Sequence, residues 1–467
     1  MMISVEQAKA EAWDVIVAGT SFSAMYFVLG LPSDLRVLMI EKGGFEDHAD
    51  QVFERRIPGR EDFRLGDRHP DTKEWVAHTT FGGNSNCWTG NVPRFMPNDF
   101  QMKTLYGQGE DWPLSYDDLE PYYARVEAAM EVAGGGSEHL FPRSTPYPFP
   151  PHAPTRTDDL LRQHSDGWIP LPTARSNGGS RATCCATGLC HLCPIDAKYS
   201  ILNDQDRFLR DGVAVVLNTE VRQVIVEGGK ATGIIARSAG RDITFKAGHV
   251  ALAANGVFNP AILLRSGIEH PALGRYLNEQ YGAHRLVDAP GLGYFGGTSY
   301  TGLGFDLYDG PHRKDYAAAL IEIINVPAQL RPEIGRWGER AFTKIIVEDL
   351  PLEHNRVYLD DDEPVLDWSG FSDYAIKGMK AATDALPDLF PDVEDYILLE
   401  DARSEAHIQG THRMGNDPER FVTDGYQRMH SIPNIHVLGS GGFPTSVTAN
   451  PTLTLAALAL RAGEAMT

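Results

Sequence analysis

Apolar runs of strand length alternate with runs of helical period along the 467 residues of this chain. The segment WDVIVAGTSFSAMYFVLGL predicts a buried strand from Val15 to Ala18, a tight turn, and a helix from about Ser23. LRVLMIEKGG follows as a second strand ending in Glu41. AVVLNTEVRQVIVEGGKATGIIA alternates as two strands do around a Gly-Gly turn at 228–229, and HVALAANGVFNPAILLRSG predicts a strand, a glycine turn and a helix. NIHVLGSGGFPT supplies a late strand ending in a Gly-rich turn, and TLTLAALALRAG a long apolar helix near the C-terminus. The stretch from about 276 to 400 differs in character, with strand-like YAAALIEIINV and AFTKIIVEDL before the helical YAIKGMKAATDAL. FPRSTPYPFPPHAPTRT, 141–157, reads as a surface connection because proline cannot donate to a sheet ladder. No internal repeat or low-complexity tract interrupts the pattern.

The first strand, turn, helix and strand form the opening unit of a dinucleotide-binding fold, with Glu41 placed 22 positions after Gly19, where it can accept from an adenosine ribose. The turn GTSFSA departs from G-x-G-x-x-G. Ser21 and Ala24 hold the second and third glycine positions, and an ordinary βαβ unit without nucleotide would read the same way.

Length and composition narrow the classes. The chain exceeds one typical core, so two domains are expected. With 42% apolar and 22% charged residues it reads as an ordinary globular protein. A formal charge of -21 repels phosphate backbones and argues against nucleic-acid binding. No stretch reaches 18 uninterrupted apolar residues, so no transmembrane segment is expected. The opening residues lack a basic n-region and an apolar run before Trp13, and the expected location is cytoplasmic.

Two Gly/Pro-punctuated segments near the C-terminus, EAHIQGTHRMG with His407 and GGFPTSVTANPTLTLAALALRAG with Asn450, lie 43 residues apart. They resemble the C-terminal signature of the glucose–methanol–choline (GMC) flavin oxidoreductases, and ANPTLT is most similar to the pyranose 2-oxidase branch. The likeness covers roughly 1–45, 75–130, 180–275 and 400–467. It implies a mixed α/β and α+β fold: a Rossmann-like FAD-binding domain from 1–275 and 400–467, with flavin-covering and Cys-rich segments at 46–200, and an inserted sheet-and-helix substrate-binding domain at 276–399. LEHNRVYLDDDEPVLDW resembles the family's N-R-V-x-L strand entry into that inserted domain.

The resemblance also implies the site. His407 is expected to take the hydroxyl proton of an alcohol, a task suited to an imidazole. Asn450 is expected to hold the substrate oxygen and orient its C–H bond towards flavin N5. Asn450 also reads as a helix N-cap with Pro451 at the first helical position. His412 is expected to be structural. The FAD-side residues are Gly19, Ser21, Ala24 and Glu41 in the first unit, Val221 and Ala253 in the later strands, and Gly439 and Ser440 in the last turn. FGGNSNCWTGNVPRF is similar to the family's flavin-contacting loop, which adds Gly83, Asn84, Ser85, Asn86 and Cys87. In pyranose oxidases a histidine before the tryptophan of this loop is joined to the flavin 8-methyl group. Here Cys87 precedes Trp88, so a cysteinyl link or a small buried thiol stands in place of that bond.

Four of the five cysteines crowd into TCCATGLCHLCPIDAKYS. A reducing compartment favours metal ligation over disulfides. The segment resembles the iron–sulfur segment of FAD-dependent glucose, fructose and gluconate dehydrogenase subunits. That likeness implies a [3Fe-4S] cluster on Cys184, Cys190 and Cys193, although the last spacing is one residue short. A zinc site that includes Cys185 or His191, a disulfide and free thiols are the alternatives.

The expected activity is FAD-dependent oxidation of a sugar or sugar-like alcohol, with electrons leaving to a protein acceptor or small partner subunit. An oxygen-using sugar oxidase that yields hydrogen peroxide, and a non-catalytic flavin-fold subunit, are the other readings.

Overall fold

Strand β1, Trp13–Ala18, carries the branched run Val15, Ile16 and Val17, buried on both faces as a central parallel strand requires. The computed structural model describes residues 1–59, 66–69, 73–293, 297–326, 329–402 and 404–466, so 60–65 and 70–72 of the 46–200 segment fall outside the described residues. After the turn at Gly19, helix α1, Phe22–Gly30, is buried along nearly its whole length. The chain then returns as β2, Val37–Ile40, parallel to β1 with Val15 opposite Val37 and Ala18 opposite Ile40.

The first sheet has seven strands. β3, Val213–Val216, continues it beyond β2. β4, Thr219–Glu227, and β5, Lys230–Ser238, form the hairpin expected around Gly228 and Gly229, both at positive φ. β6, Arg241–Leu252, is long because it serves two partners. Its first half pairs antiparallel with β5, while its second half pairs parallel with β1. Helix α2, Asn255–Arg265, leaves its end. The carboxyl ends of β1, β2 and β6 therefore open side by side, the place where an open α/β sheet binds ligands.

A second, antiparallel sheet of six strands stands over that opening. It contains β7, Tyr281–Asp288; β8, Tyr300–Gly304; β9, Ala319–Ile324; β10, Arg340–Val347; and β11, Asp395–Asp401. Trp168–Pro170, from well outside 276–399, completes its edge beside β8. The period of two decides its faces. Ile321, Ile323, Ile345 and Val347 pack with Tyr374, Ala375 and Met379 of helix α3, Asp373–Ala385. Glu322 and Lys344, directly opposite each other on β9 and β10, point the other way.

Two expectations need correction. The N-R-V-x-L strand does not enter this sheet. Arg356–Asp360 and Glu363–Asp367 form a hairpin that pairs with Gly66–Asp67, and its Val357 and Leu366 pack with Val257 of α2. The Pro-rich stretch is not wholly at the surface either, because Phe141 and Tyr147 are buried and anchor it to the main core.

β12, Ile435–Val437, lies parallel to the end of β6, and helix α4, Thr452–Glu464, closes the fold against α1. The crossing is close because glycine stands on both sides. A Cβ at Gly30 would lie 2.4 Å from the Leu460 carbonyl oxygen, and one at Gly463 would lie 2.3 Å from that of Phe27. Among the described residues no helix is long and apolar enough to cross a membrane.

Candidate active site

Between the two sheets lies a cavity of about 420 Å³ with two chemically distinct ends. At one end, Gly19, Thr20, Ser21, Glu41, Val221 and Ala253 come from the carboxyl ends of the parallel strands and from β4. Gly19 has φ +101°, and a Cβ there would stand 2.6 Å from the Ala253 carbonyl oxygen, so only glycine fits. Ser21 occupies the cap position of α1 without a side-chain capping bond. The first turn of that helix thus offers its N–H groups and the positive end of its dipole to the cavity.

Glu41 is buried and accepts from Thr20 Oγ1 at 2.7 Å and from the Gly43 N–H at 3.0 Å. Burial pushes its carboxyl up to about 7, against the pull of those hydrogen bonds. Thr20 Oγ1 in turn accepts the Gly82 N–H at 3.0 Å and so ties the 81–95 loop to this end.

The other end is built from side chains. His407 Nδ1 lies 2.5 Å from Gln280 Oε1. Gln280 Nε2 donates to the carbonyl oxygens of Val447, at 2.5 Å, and Ala449, at 2.8 Å. Those two bonds fix the amide with its oxygen towards the imidazole, so Nδ1 carries the proton and the Nε2 lone pair is left for the cavity. Burial lowers the imidazole pKa to about 3, with help from the charges of Lys344 and Lys73. His407 is therefore neutral. Its backbone N–H donates to Glu279 Oε1 at 2.6 Å, and Glu279 is ion-paired with buried Lys73.

Asn450 lines the cavity just ahead of α4. It is not the helix cap. Pro451 holds that position, and its carbonyl accepts the Leu455 N–H. Glu322, the neighbour of Asn450 on the wall, accepts from Asn91 Nδ2 at 3.0 Å. Asn450 Oδ1 is buried without a hydrogen-bond partner among the described residues.

Glu322 and Lys344 form the floor together with Tyr300. Lys344 Nζ pairs with Glu405 Oε2 at 2.5 Å. Burial raises the carboxyl pKa of Glu322 and of Glu405, against the attraction of Lys344.

Most expected site residues line this one cavity: Gly19, Ser21, Glu41, Gly83, Asn84, Cys87, Val221, Ala253, His407, Gly439, Ser440 and Asn450. Ala24, Ser85 and Asn86 do not. Ala24 is packed inside α1, Ser85 Oγ accepts the Ile201 N–H, and Asn86 caps the Phe81 carbonyl with its amide and the Lys198 ammonium with its own carbonyl. Ser440 Oγ donates to the Ile408 carbonyl at 2.7 Å and holds the last turn against the His407 segment. His412 is packed against Gly441, outside the cavity wall.

Thr20, Asn91, Gln280, Glu322, Lys344 and Glu405 were not anticipated. A lone charge inside an apolar strand, as in ALIEII and FTKIIV, was the available signal for Glu322 and Lys344. Gln280 carries no comparable signal.

Cys184 and Cys190 both reach Thr298 Oγ1, with Cys190 Sγ 3.9 Å from it. Cys184 Sγ donates to Thr298 Oγ1 at 3.5 Å, Cys190 Sγ accepts from Ser299 Oγ at 2.9 Å, and Cys193 Sγ accepts the Ala197 N–H at 3.3 Å, while Cys185 is exposed. Among the described residues no three His, Cys, Asp or Glu side chains stand together where a metal could be held. Burial raises the Cys190 thiol, but Arg175 and Ser299 outweigh it and hold the thiol below its ordinary range.

FAD fits. The helix N-terminus at Ser21 suits a pyrophosphate, the glycine cradle at Gly19 permits close approach, and buried Glu41 suits ribose hydroxyls. At the far end, the N-terminus of α4 faces the cavity through Pro451 and Thr452 and favours negative charge there.

A parallel sheet with a nucleotide cradle, its cavity ending on a half-buried neutral imidazole, defines a flavin-dependent oxidoreductase. Residues 165–282 and 351–459 match the two parts of the family described as GMC oxidoreductase, and the chain belongs to that family. It is 26% identical to the fructose dehydrogenase large subunit of Gluconobacter japonicus, over 97% of both chains. It is also 26% identical to paromamine 6'-oxidase of Streptomyces fradiae, over 97% of this chain and 91% of that one. A third relative, 2-methyl-1,2-propanediol dehydrogenase of Mycolicibacterium austroafricanum, is 26% identical over 82% and 80%. The fold is similar to that of pyridoxine 4-oxidase from Mesorbium loti, with TM-score 0.68 and 16% identity over 97% of this chain and 99% of that one.

Proposed function

We propose that this enzyme oxidises a hydroxyl of a sugar or sugar-like alcohol to the carbonyl, with His407 as the base. The observation that carries the reading is the fixed, neutral imidazole whose Nε2 lone pair is left for the cavity by the Gln280 clamp. FAD, when bound, supplies the acceptor for the hydride that leaves the carbinol carbon. The chain's own part is to bind the alcohol against the floor of the second sheet, exclude water and take the hydroxyl proton at His407 Nε2.

A pKa of about 3 makes a weak base. It suffices here because loss of hydride turns the alcohol O–H into that of a protonated carbonyl, a strong acid, so the proton moves downhill as the C–H bond breaks. After turnover the same low value releases the proton readily.

The names of the relatives, a fructose dehydrogenase, a paromamine oxidase and a diol dehydrogenase, support a hydroxylated substrate. The test is anaerobic: the flavin-replete protein is mixed with a panel of sugars, cyclitols and aminosugars and the flavin absorbance is followed. At least one is expected to bleach it. If none does, the reading fails.

The electron acceptor is a separate proposal. An oxidase among relatives of equal identity supports a second reading, transfer to dioxygen, which a peroxide assay with and without an artificial acceptor separates from dehydrogenase action. Exit through an iron–sulfur cluster to a partner subunit rests on the spacing of Cys184, Cys190 and Cys193 alone, and no step is derived through it. Iron and acid-labile sulfide measured on anaerobically purified protein decide that point. A cytoplasmic location rests likewise on the sequence reading.

A further inference from the structure

A second cavity, of about 450 Å³, shares no lining residue with the first. Its walls come from the segments that carry the reaction end: Tyr276 ahead of Gln280, Leu350 to Glu353 after β10, Arg413 beyond His407 and Pro444 ahead of Asn450. The two C-terminal turns are pinned together on either side of Arg413, because His412 and Met414 donate their backbone N–H groups to the carbonyls of Gly441 and Gly442 at 2.9 and 2.8 Å. The main chain therefore holds Arg413 in place.

Its side chain is a charge without an answer. Arg413 is 6% exposed, and among the described residues no carboxylate is ion-paired with it. The nearby carboxylates have other partners: Glu110 pairs with Arg420 at 2.5 Å and with Lys103 at 3.3 Å, and Glu353 with Arg275 at 3.7 Å. The guanidinium lies on the ring of Tyr276, 3.5 Å from its centroid, which fixes its plane. Nη1 makes one contact, to the Pro444 carbonyl at 3.5 Å, the long limit of a hydrogen bond, and Nε is buried with no partner. Nη2 has no hydrogen bond among the described residues and is not enclosed either, so it opens onto the cavity that Arg413 lines. An arginine keeps its charge when buried, and a buried charge without a partner costs free energy that a bound anion offsets.

The rest of the wall selects among anions. Glu110, Glu353 and Glu419 outnumber Arg413 and Arg420 on it, so a doubly charged phosphate meets net repulsion. Pro271, Ala272, Leu350, Pro351 and Leu352 supply most of the other side chains and suit a hydrocarbon body. A planar carboxylate matches the fork of a guanidinium.

We infer that this second cavity is a binding site for a small monocarboxylate with an apolar body, its carboxylate paired with Arg413 and its body against the proline and leucine wall. The site is separate from the flavin cavity and independent of the alcohol-oxidation reading.

Benzoate, acetate and inorganic phosphate test this, each titrated by calorimetry into flavin-replete protein near neutral pH at constant ionic strength, with the flavin spectrum recorded alongside. Benzoate is expected to bind at one site with a Kd of about 1 mM or tighter. Acetate, which lacks the body, and phosphate, which carries the extra charge, are expected to bind about tenfold more weakly or not at all. The flavin spectrum should stay unchanged. Arg413→Gln is expected to weaken benzoate about tenfold or more, the value of a charge-assisted hydrogen bond, with FAD content at the parent level.

No saturable binding of benzoate overturns the inference. So does binding that Arg413→Gln leaves unmoved, or binding that shifts the flavin spectrum and so belongs to the first cavity. Phosphate that binds as tightly as benzoate overturns the monocarboxylate assignment. Should Arg413→Gln fail to fold, Leu352→Trp, which adds bulk to the cavity wall, takes its place. It is expected to weaken benzoate by a similar factor, and unchanged binding in that variant overturns the inference.

Discussion

The two ends of the cavity are built in opposite ways. The nucleotide end is mostly main chain: a glycine turn, a helix N-terminus and one carboxylate, all within residues 19 to 41 apart from the neighbouring strands at Val221 and Ala253. The reaction end is almost all side chain, drawn from β9, β10, the residues just before β7 and both C-terminal turns. The first recognises a ligand by backbone shape. The second sets protonation states and donor directions, which backbone alone cannot do. Substitutions at the two ends should therefore separate binding of the cofactor from chemistry on the substrate.

The largest separation is expected at His407. His407→Ala removes the base and should slow anaerobic bleaching by about 10²–10⁴, while FAD content measured on the purified protein stays at the parent level. The imidazole meets Gln280 and the substrate space, and none of the nucleotide-end residues. A variant that bleaches within a few-fold of the parent would remove His407 from its role, and one that loses FAD would erase the contrast between the ends.

The opposite outcome is expected at Gly19. Gly19→Ala places a Cβ against the Ala253 carbonyl in a left-handed backbone conformation, a strain on the order of 1–3 kcal/mol. FAD should dissociate about 10-fold to 100-fold more readily, read by equilibrium dialysis. The protein that does retain FAD should bleach at the parent rate. A normal affinity would mean that the turn can relax and that the cradle does not depend on this glycine.

The same contrast explains what the sequence could convey. The nucleotide end was legible because its parts are local: the strand to Ala18, the turn, the helix and Glu41 follow one another within about thirty residues, and each has its own periodicity. Edges moved only slightly, with β1 starting at Trp13 and α1 at Phe22. His407 and Asn450 were legible through the resemblance of their turns, but the neighbours they meet in the cavity, Glu322 and Lys344 from distant strands, were not. Gln280 was invisible for the same reason: its partners at 407, 447 and 449 meet it only in the folded chain. The Trp168–Pro170 edge of the second sheet shows the limit again, because pairing between distant strands leaves no mark in either one.

The smallest and most specific effect is expected at Gln280, a positioning residue. Gln280→Leu removes the acceptor that keeps the proton on His407 Nδ1, so either tautomer can form and the bleaching rate should fall about tenfold, the value of one well-placed hydrogen bond in a buried site. A merely structural loss would give the same number, so the decisive variant is Gln280→Glu, which keeps an acceptor oxygen beside Nδ1 and adds charge. The parent imidazole, held at about 3 by burial, is unprotonated at any practical pH, and its bleaching rate should be flat from pH 8 down to pH 5. A carboxylate next to Nδ1–H stabilises the imidazolium and raises that pKa. A base with a raised pKa loses its lone pair as pH falls through the new value, so Gln280→Glu should recover part of the rate lost in Gln280→Leu at pH 8 and then lose it as the solution is acidified. An unchanged flat profile in Gln280→Glu would mean that Gln280 only braces the turn at Val447 and Ala449 and does not set the state of the base.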